Sequence, residues 1–176
     1  MTPEYNPGMS EQIDVTVAAV AERAGAFLLI EERSAGRVVL NQPAGHVEPG
    51  ETLIEAAVRE TLEESACHFE PDFLLGTYVW RSPADGTTFV RFAFTGRVGE
   101  PDPGRPLDQG IIGRRWLARS GLLAQSTPLR SPMVLRCIED YLAGTRYPLS
   151  TITHWDLSNA GATLQSLPTT AVSASG

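Results

Sequence analysis

The sequence predicts an α+β domain in which a mixed β-sheet is flanked by helices. Three observations predict it: several short segments that are apolar throughout or alternate with a period of two, one acid-rich helix set among them, and a second helix after the last of them. With 176 residues, the chain is long enough for one ordinary domain with a sizeable core.

Residues 1–11 hold Pro3, Pro7 and Gly8 among polar neighbours and read as a loose lead-in. From 13 to 20, Ile13, Val15, Val17 and Ala19 fall on one side of a strand, with Val20 breaking the alternation late. Glu22-Arg23-Ala24-Gly25 supplies a hairpin-like turn, and Phe27-Leu28-Leu29-Ile30 suits a strand buried on both faces. Residues 31–37 are polar and read as a loop, and 38–40 form a short strand. A helix starts near Glu51 or Thr52, after Pro49-Gly50, and runs to about Ser65. Its packing face is Leu53, Ala56, Ala57 and Leu62.

Residues 73–81 and 87–98 are antiparallel partners around the turn Pro83-Ala84-Asp85-Gly86. The stretch 100–110, with three prolines and two glycines, is a loop of unusual length for a compact domain. A strand at 111–117 and a short helix at 119–124 follow. A longer helix spans 131–143, with Ser131 as N-cap and Pro132 in its first turn. Its face from Met133 to Tyr141 suits core or interface equally. Residues 156–176 are rich in Ser, Thr and Ala, lack periodicity and read as disordered, which leaves 12–155 as the single domain.

A net charge of −7 argues against a general nucleic-acid binder, which would present a basic surface. Part of the acid excess is local, between Glu48 and Glu64, where bound metal would neutralise it, so anionic substrates remain compatible. Cys67 and Cys137 lack CxxC spacing and read as buried reduced thiols. No apolar run is long enough to cross a membrane and no signal-peptide core is present, so a cytoplasmic protein is expected, either monomer or homodimer.

The chemistry concentrates in Gly45-His46-Val47-Glu48-Pro49-Gly50-Glu51 and in Arg59-Glu60-Thr61-Leu62-Glu63-Glu64. Glu60 with Glu63, and Glu60 with Glu64, stand at i,i+3 and i,i+4, so three acids crowd one helical face. Each like-charged pair costs roughly 0.2–0.5 kcal/mol on an exposed helix. The last turns of a helix also disfavour anions, by roughly 0.3–1 kcal/mol per charge. Both penalties point to a missing cation, and hard carboxylate oxygens select Mg2+ or Mn2+.

This spacing resembles the Nudix box: Gly, five residues, Glu, seven residues, Arg-Glu, two residues, Glu-Glu. Gly45, Glu51, Arg59, Glu60, Glu63 and Glu64 fill it. Two positions depart from the pattern. Thr61 takes a normally aliphatic site, and Ala66 replaces the glycine at the helix end. A wider likeness, through Asn41-Gln42-Pro43-Ala44-Gly45-His46-Val47-Glu48, Leu129-Arg130-Ser131-Pro132 and Arg146-Tyr147-Pro148-Leu149, is to the NudJ-type phosphatases within that family.

The resemblance implies an α/β/α sandwich and divalent-metal-dependent hydrolysis of nucleoside di- and triphosphates. It also implies action on the thiamine-precursor pyrimidine pyrophosphate, with loss of terminal orthophosphate. It implies that Glu60, Glu63, Glu64 and the Gly45 carbonyl hold metal, and that Arg59 pairs with Glu51 and steadies Glu60. Glu63 and Glu60 are the catalytic candidates. The general base is open between them and an acid outside the box. Asp108 is the nearest such acid, because Gly113 stands where relatives often carry one. Glu48 and Glu55 read as solvated.

Among substrate-binding candidates, Arg91 meets a phosphate or is solvated. Trp80, with Tyr78 and Phe92 behind it, stacks on a pyrimidine ring or packs in the core. His46 touches phosphate or braces its loop, and Arg130 and Ser131 precede a helix N-terminus suited to an anion. Two rival readings are a non-catalytic Nudix domain that binds a nucleotide or protein partner, and a structural metal domain.

Overall fold

A computed structural model describes residues 12–155, so the readings of 1–11 and 156–176 lie outside the described residues. The expected sandwich is present. One mixed seven-stranded sheet is built from β1 (Ile13–Arg23), β2 (Ala26–Ser34), β3 (Arg37–Asn41), β4 (Ala44–His46), β5 (Cys67–Arg81), β6 (Thr88–Pro101) and β7 (Ile111–Ala118). The strand order is β3-β2-β1-β6-β5, with β4 on β1 and β7 on β2. Of these strand pairs, β1 and β6 alone run parallel, from Ile13 opposite Thr88 to Ala21 opposite Gly96. The helices are α1 (Leu53–Ser65), α2 (Arg119–Ala124) and α3 (Pro132–Leu142), with a 3-10 turn at Leu149–Thr151. None of these helices is long and apolar enough to cross a membrane.

Alternation along β1 builds the two layers. Val17 and Ala19 face a cluster with Ala56 and Ala57 of α1 and with Phe69 and Phe94. Ala18 and Val20 face a second cluster with Leu122 of α2 and with Val134, Cys137 and Ile138 of α3. The face from Met133 to Tyr141 is therefore core, and Cys67 and Cys137 are buried free thiols as expected. Ile13 and Val15 depart from the expectation. They are 65% and 41% exposed, because the face they share with Val17 is uncovered at that end of the strand.

Residues 31–37 are not a loop. The strand runs on to Ser34 and returns at Arg37 through Ala35 and Gly36, both at positive φ (48° and 75°). Ala24 and Gly25 (51° and 82°) make the same two-residue turn between β1 and β2, a geometry that matches strand twist. The strand after the box helix starts at Cys67 rather than 73, and three register shifts bend it. Leu62 lies outside both core clusters, in a surface groove with Ile54 and Val58.

Thr52 caps α1, accepting from the Glu55 backbone at 3.2 Å, while the Glu55 carboxylate accepts from the Thr52 N–H at 2.8 Å. Glu55, expected to be merely solvated, thus holds the helix start. Thr61 is fully buried and satisfies its hydroxyl on the Ala57 carbonyl at 2.7 Å. Ala66, which stands in place of the box glycine, ends the helix in the left-handed region at φ 55°. That conformation costs a non-glycine residue about 1–2 kcal/mol. Replacing Ala66 by Gly relieves it but gives up one buried methyl and a stiffer unfolded chain. Ala66→Gly is expected to raise stability in urea titration by about 0.5 kcal/mol. A lowered midpoint would contradict the strain.

Candidate active site

The segment 44–52 folds back along α1 and is clasped to it at two places. The Ala44 N–H donates to Glu64 Oε2 at 2.8 Å. Arg59 makes the other clasp. Its Nε and Nη2 donate to the two oxygens of Glu51 at 2.7 and 2.9 Å, and Nη2 also donates to the His46 carbonyl at 3.0 Å. Its Nη1 reaches Glu60 at 2.8 Å and Glu63 at 3.0 Å. One guanidinium therefore joins Glu51, Glu60 and Glu63, the pairing expected for it and one more. A Cβ at Gly45 would fall on the Glu60 carboxyl group, so any other residue there would displace the end of that side chain.

Burial raises the carboxyl pKa values of Glu60 and Glu64. Glu60 is raised chiefly by desolvation, against the pull of Arg59. Glu64, 7% exposed, is pushed from 4.5 up to about 9 by burial, which its one bond from Ala44 only partly offsets. Both shifts describe acids short of positive charge. The donor set is all oxygen, which suits a hard divalent cation. Among the described residues no three acids close around a common point, because Arg59 holds Glu60 and Glu63.

These acids line a cleft of about 450 Å³ together with Gly45, His46, Glu48, Arg59, Asp108, Trp80 and Arg91. The metal candidates and, among the substrate candidates, Arg91, Trp80, His46, Arg130 and Ser131 are therefore gathered in one place, whereas Tyr78 and Phe92 are not. Glu51 stands behind it as the anchor of Arg59. The long loop delivers Asp108 by a bond from its N–H to the Glu63 carbonyl at 3.0 Å, and Asp102 N–H bonds to the Ala66 carbonyl at 2.9 Å. Arg114 of β7 donates to the Ser65 carbonyl at 3.1 Å. The end of the acid-bearing helix is thus held from three directions.

Arg91 is not a solvated strand arginine. It is 5% exposed, and among the described residues its only side-chain partner is Gln42, at 3.3 Å. Trp80 stacks on Phe89 with ring centroids 5.8 Å apart. His46 is exposed and sits 3.2 Å from Asp14. Tyr78 leaves the cleft to donate to Asp140 at 3.0 Å, and Phe92 packs on the opposite face with the α1 cluster. Ser131 is the N-cap of α3 by position, but its hydroxyl makes no capping bond.

Sequence reasoning missed Thr16, Glu32, Phe89 and Met133, all of which line the cleft. Phe89 was legible as the residue two before Arg91, on the same strand face. Glu32 was hidden by the loop reading of 31–37. A larger cavity of about 760 Å³ lies between β5 and α3, sharing Trp80 and Met133. Its Tyr78 and Arg136 both bond to Asp140, and it holds no box acid.

Comparison with known proteins agrees with this geometry. The NUDIX domain family matches residues 11–137. Phosphatase NudJ of Escherichia coli strain K12 is 42% identical over 138 residues, which is 78% of this chain and 89% of that protein. The structure of a NUDIX hydrolase from Nitrosomonas europaea superposes with a TM-score of 0.78 at 46% identity, covering 82% of this chain and 98% of the other. A MutT NUDIX hydrolase from Burkholderia pseudomallei gives 0.62 at 26%, over 74% of this chain and 98% of its own.

The Arg59 bonds hold the Glu51 carboxyl below its ordinary 4.5, so Glu51 stabilises the fold above that pH and loses the effect as acid titrates it. Glu51→Gln is expected to cost about 1–2 kcal/mol at pH 7. In denaturation series the gap between variant and unmodified protein should close below pH 4.5. A gap that stays constant on acidification would mean the pair adds nothing.

Proposed function

The chain belongs to the Nudix hydrolase family, and from that premise we propose that it cleaves phosphoanhydride bonds in nucleoside di- and triphosphates and in the thiamine-precursor pyrimidine pyrophosphate. Hydrolysis of pyrophosphate linkages is the general activity of the family, and the likeness to Phosphatase NudJ supports the narrower substrates. The observation that carries the reading is the meeting of opposite charges across one cleft. Three box acids stand on its helix wall, and a buried arginine with no ion pair among the described residues lies on the sheet facing them.

Glu60, Glu63 and Glu64, with the Gly45 carbonyl, would hold Mg2+ or Mn2+, which when bound supplies charge neutralisation on the phosphate and a more acidic water. Arg59 keeps the acids aimed and the segment 44–52 closed on the helix. Glu63 is the acid we assign to accept the proton of the attacking water, with Glu60 and Asp108 beside it. Arg91 receives phosphate oxygen, and His46 flanks the entry. The indole of Trp80, backed by Phe89, offers a flat apolar surface for the heterocycle.

Glu63→Gln is expected to keep the fold, since that side chain is 36% exposed, while phosphate release falls by about 10²-fold or more. Turnover should be read by 31P NMR with Mg2+ and a panel of nucleotides and pyrimidine pyrophosphate. Orthophosphate as the product supports the NudJ-like reading, and pyrophosphate keeps the family chemistry but not the subgroup. Chelation by EDTA should abolish turnover and added Mg2+ or Mn2+ restore it. Nucleotide binding without turnover under any metal would favour a non-catalytic binding domain.

A further inference from the structure

Four buried side-chain atoms have no hydrogen-bond partner among the described residues: Thr16 Oγ1, Asn41 Oδ1, Arg91 Nε and Ser131 Oγ. Their residues are between 4% and 6% exposed. They come from β1, β3, β6 and the N-cap of α3, yet all four line the cleft that holds the box acids. A buried polar atom without a partner costs folding free energy, so native chains leave few of them. Four gathered at one place mark a site whose partner comes from outside the chain.

Their chemistry narrows that partner. Arg91 carries a charge that no carboxylate meets. Glu32 and Glu64 are near enough to act on it, but they bond to Asn41 at 3.2 Å and to the Ala44 N–H at 2.8 Å instead. A buried cation left in this state calls for an anion. Thr16 and Ser131 add hydroxyl donors. Ser131 stands at the N-terminus of an 11-residue helix that its side chain does not cap, where backbone N–H groups also favour negative charge. Asn41 Oδ1 is the lone acceptor, its Nδ2 being already spent on Glu32. A terminal phosphoryl group matches this mixture. It is anionic, and with a second pKa near about 6 it retains an oxygen that can carry a proton. An internal phosphate offers no such donor.

We propose that Thr16, Asn41, Arg91 and Ser131 form a receptor for the terminal phosphoryl group of the substrate. They thereby select compounds whose last phosphate is free over those whose diphosphate is capped by a second organic group. This rests on the hydrolase reading above and assigns its selectivity to four residues outside the box.

The test compares kcat/KM for ADP, whose terminal phosphate is free, with that for ADP-ribose, whose diphosphate is capped. It uses the unmodified protein and the variants Arg91→Met, Thr16→Val and Ser131→Ala, and records melting temperatures of each. The ratio of ADP to ADP-ribose is expected to fall at least tenfold in Arg91→Met and at least threefold in each hydroxyl variant. Melting temperatures of the two hydroxyl variants should match or exceed that of the unmodified protein, since each removes an atom that bonds to nothing among the described residues, whereas Arg91→Met also gives up the Nη1 bond to Gln42. If both substrates weaken together and the ratio holds, the receptor takes another group, such as the polar edge of the ring, and the proposal is overturned. Lower melting temperatures in both hydroxyl variants would overturn it equally. If the unmodified protein hydrolyses neither compound, it is the hydrolase reading that fails. The receptor is then judged by millimolar orthophosphate, which must raise the melting temperature of the unmodified protein and not that of Arg91→Met. An equal response in both would refute it.

Discussion

The fork of Arg59 is the interaction on which the site depends. Three carboxylates and one backbone carbonyl converge on a single guanidinium, all within 2.7 to 3.0 Å. Remove it and Glu60 and Glu63 repel each other at the end of a helix whose dipole already disfavours them. The segment 44–52 would also lose its hold on α1, and Gly45 its close seat against Glu60. A lysine offers one point of charge where this geometry uses a planar fork with several donors, so the position demands arginine for its shape as much as for its sign.

Around that fork the cleft is divided by charge. The acids stand on the helix side with Asp108 from the long loop, while Arg91 and the neighbouring donors of β1 and α3 lie on the other. A chain of net charge −7 is a poor general attractor for phosphates. In the proposed reading the attraction is local, and it rests on Arg91, whose burial lets one charge act strongly. The aromatic pair at Trp80 adds a surface without charge, suited to the uncharged end of the same ligand.

The box helix and its acids were legible from spacing, and the Arg59–Glu51 pair from the family resemblance, because each rests on local geometry within one helix or its two flanks. The strand pair around Pro83–Gly86, α2 and α3 were legible for the same reason. The left-handed exit at Ala66 was left open. What stayed hidden depends on contacts distant in sequence. Glu32 was lost because polar residues on a strand near a cleft look like a loop. The burial of Arg91 depends on Gln42 and on α3, 40 or more positions away along the chain. The unused hydroxyl of Ser131 is invisible in a sequence that displays a well-formed N-cap signal. Ile13 and Val15 kept their alternation but not their cover, since periodicity reports which face a residue is on and not whether anything lies over it.

The parallel pairing of β1 with β6 has a consequence for how the protein comes into being. β1 lies at the centre of the sheet, yet the partner that fills one of its edges begins 75 residues later, at Thr88. Its earlier strand pairing is confined to the turn with β2 at Glu22 and Arg23 and to three residues of β4. A chain emerging from the ribosome therefore carries its most apolar strand with an open edge until Gly96 has been added. Non-local pairing of this kind slows folding, and an open edge invites pairing with other chains. The window of risk in the life of this protein is thus its own synthesis, and it closes with the arrival of the sixth strand.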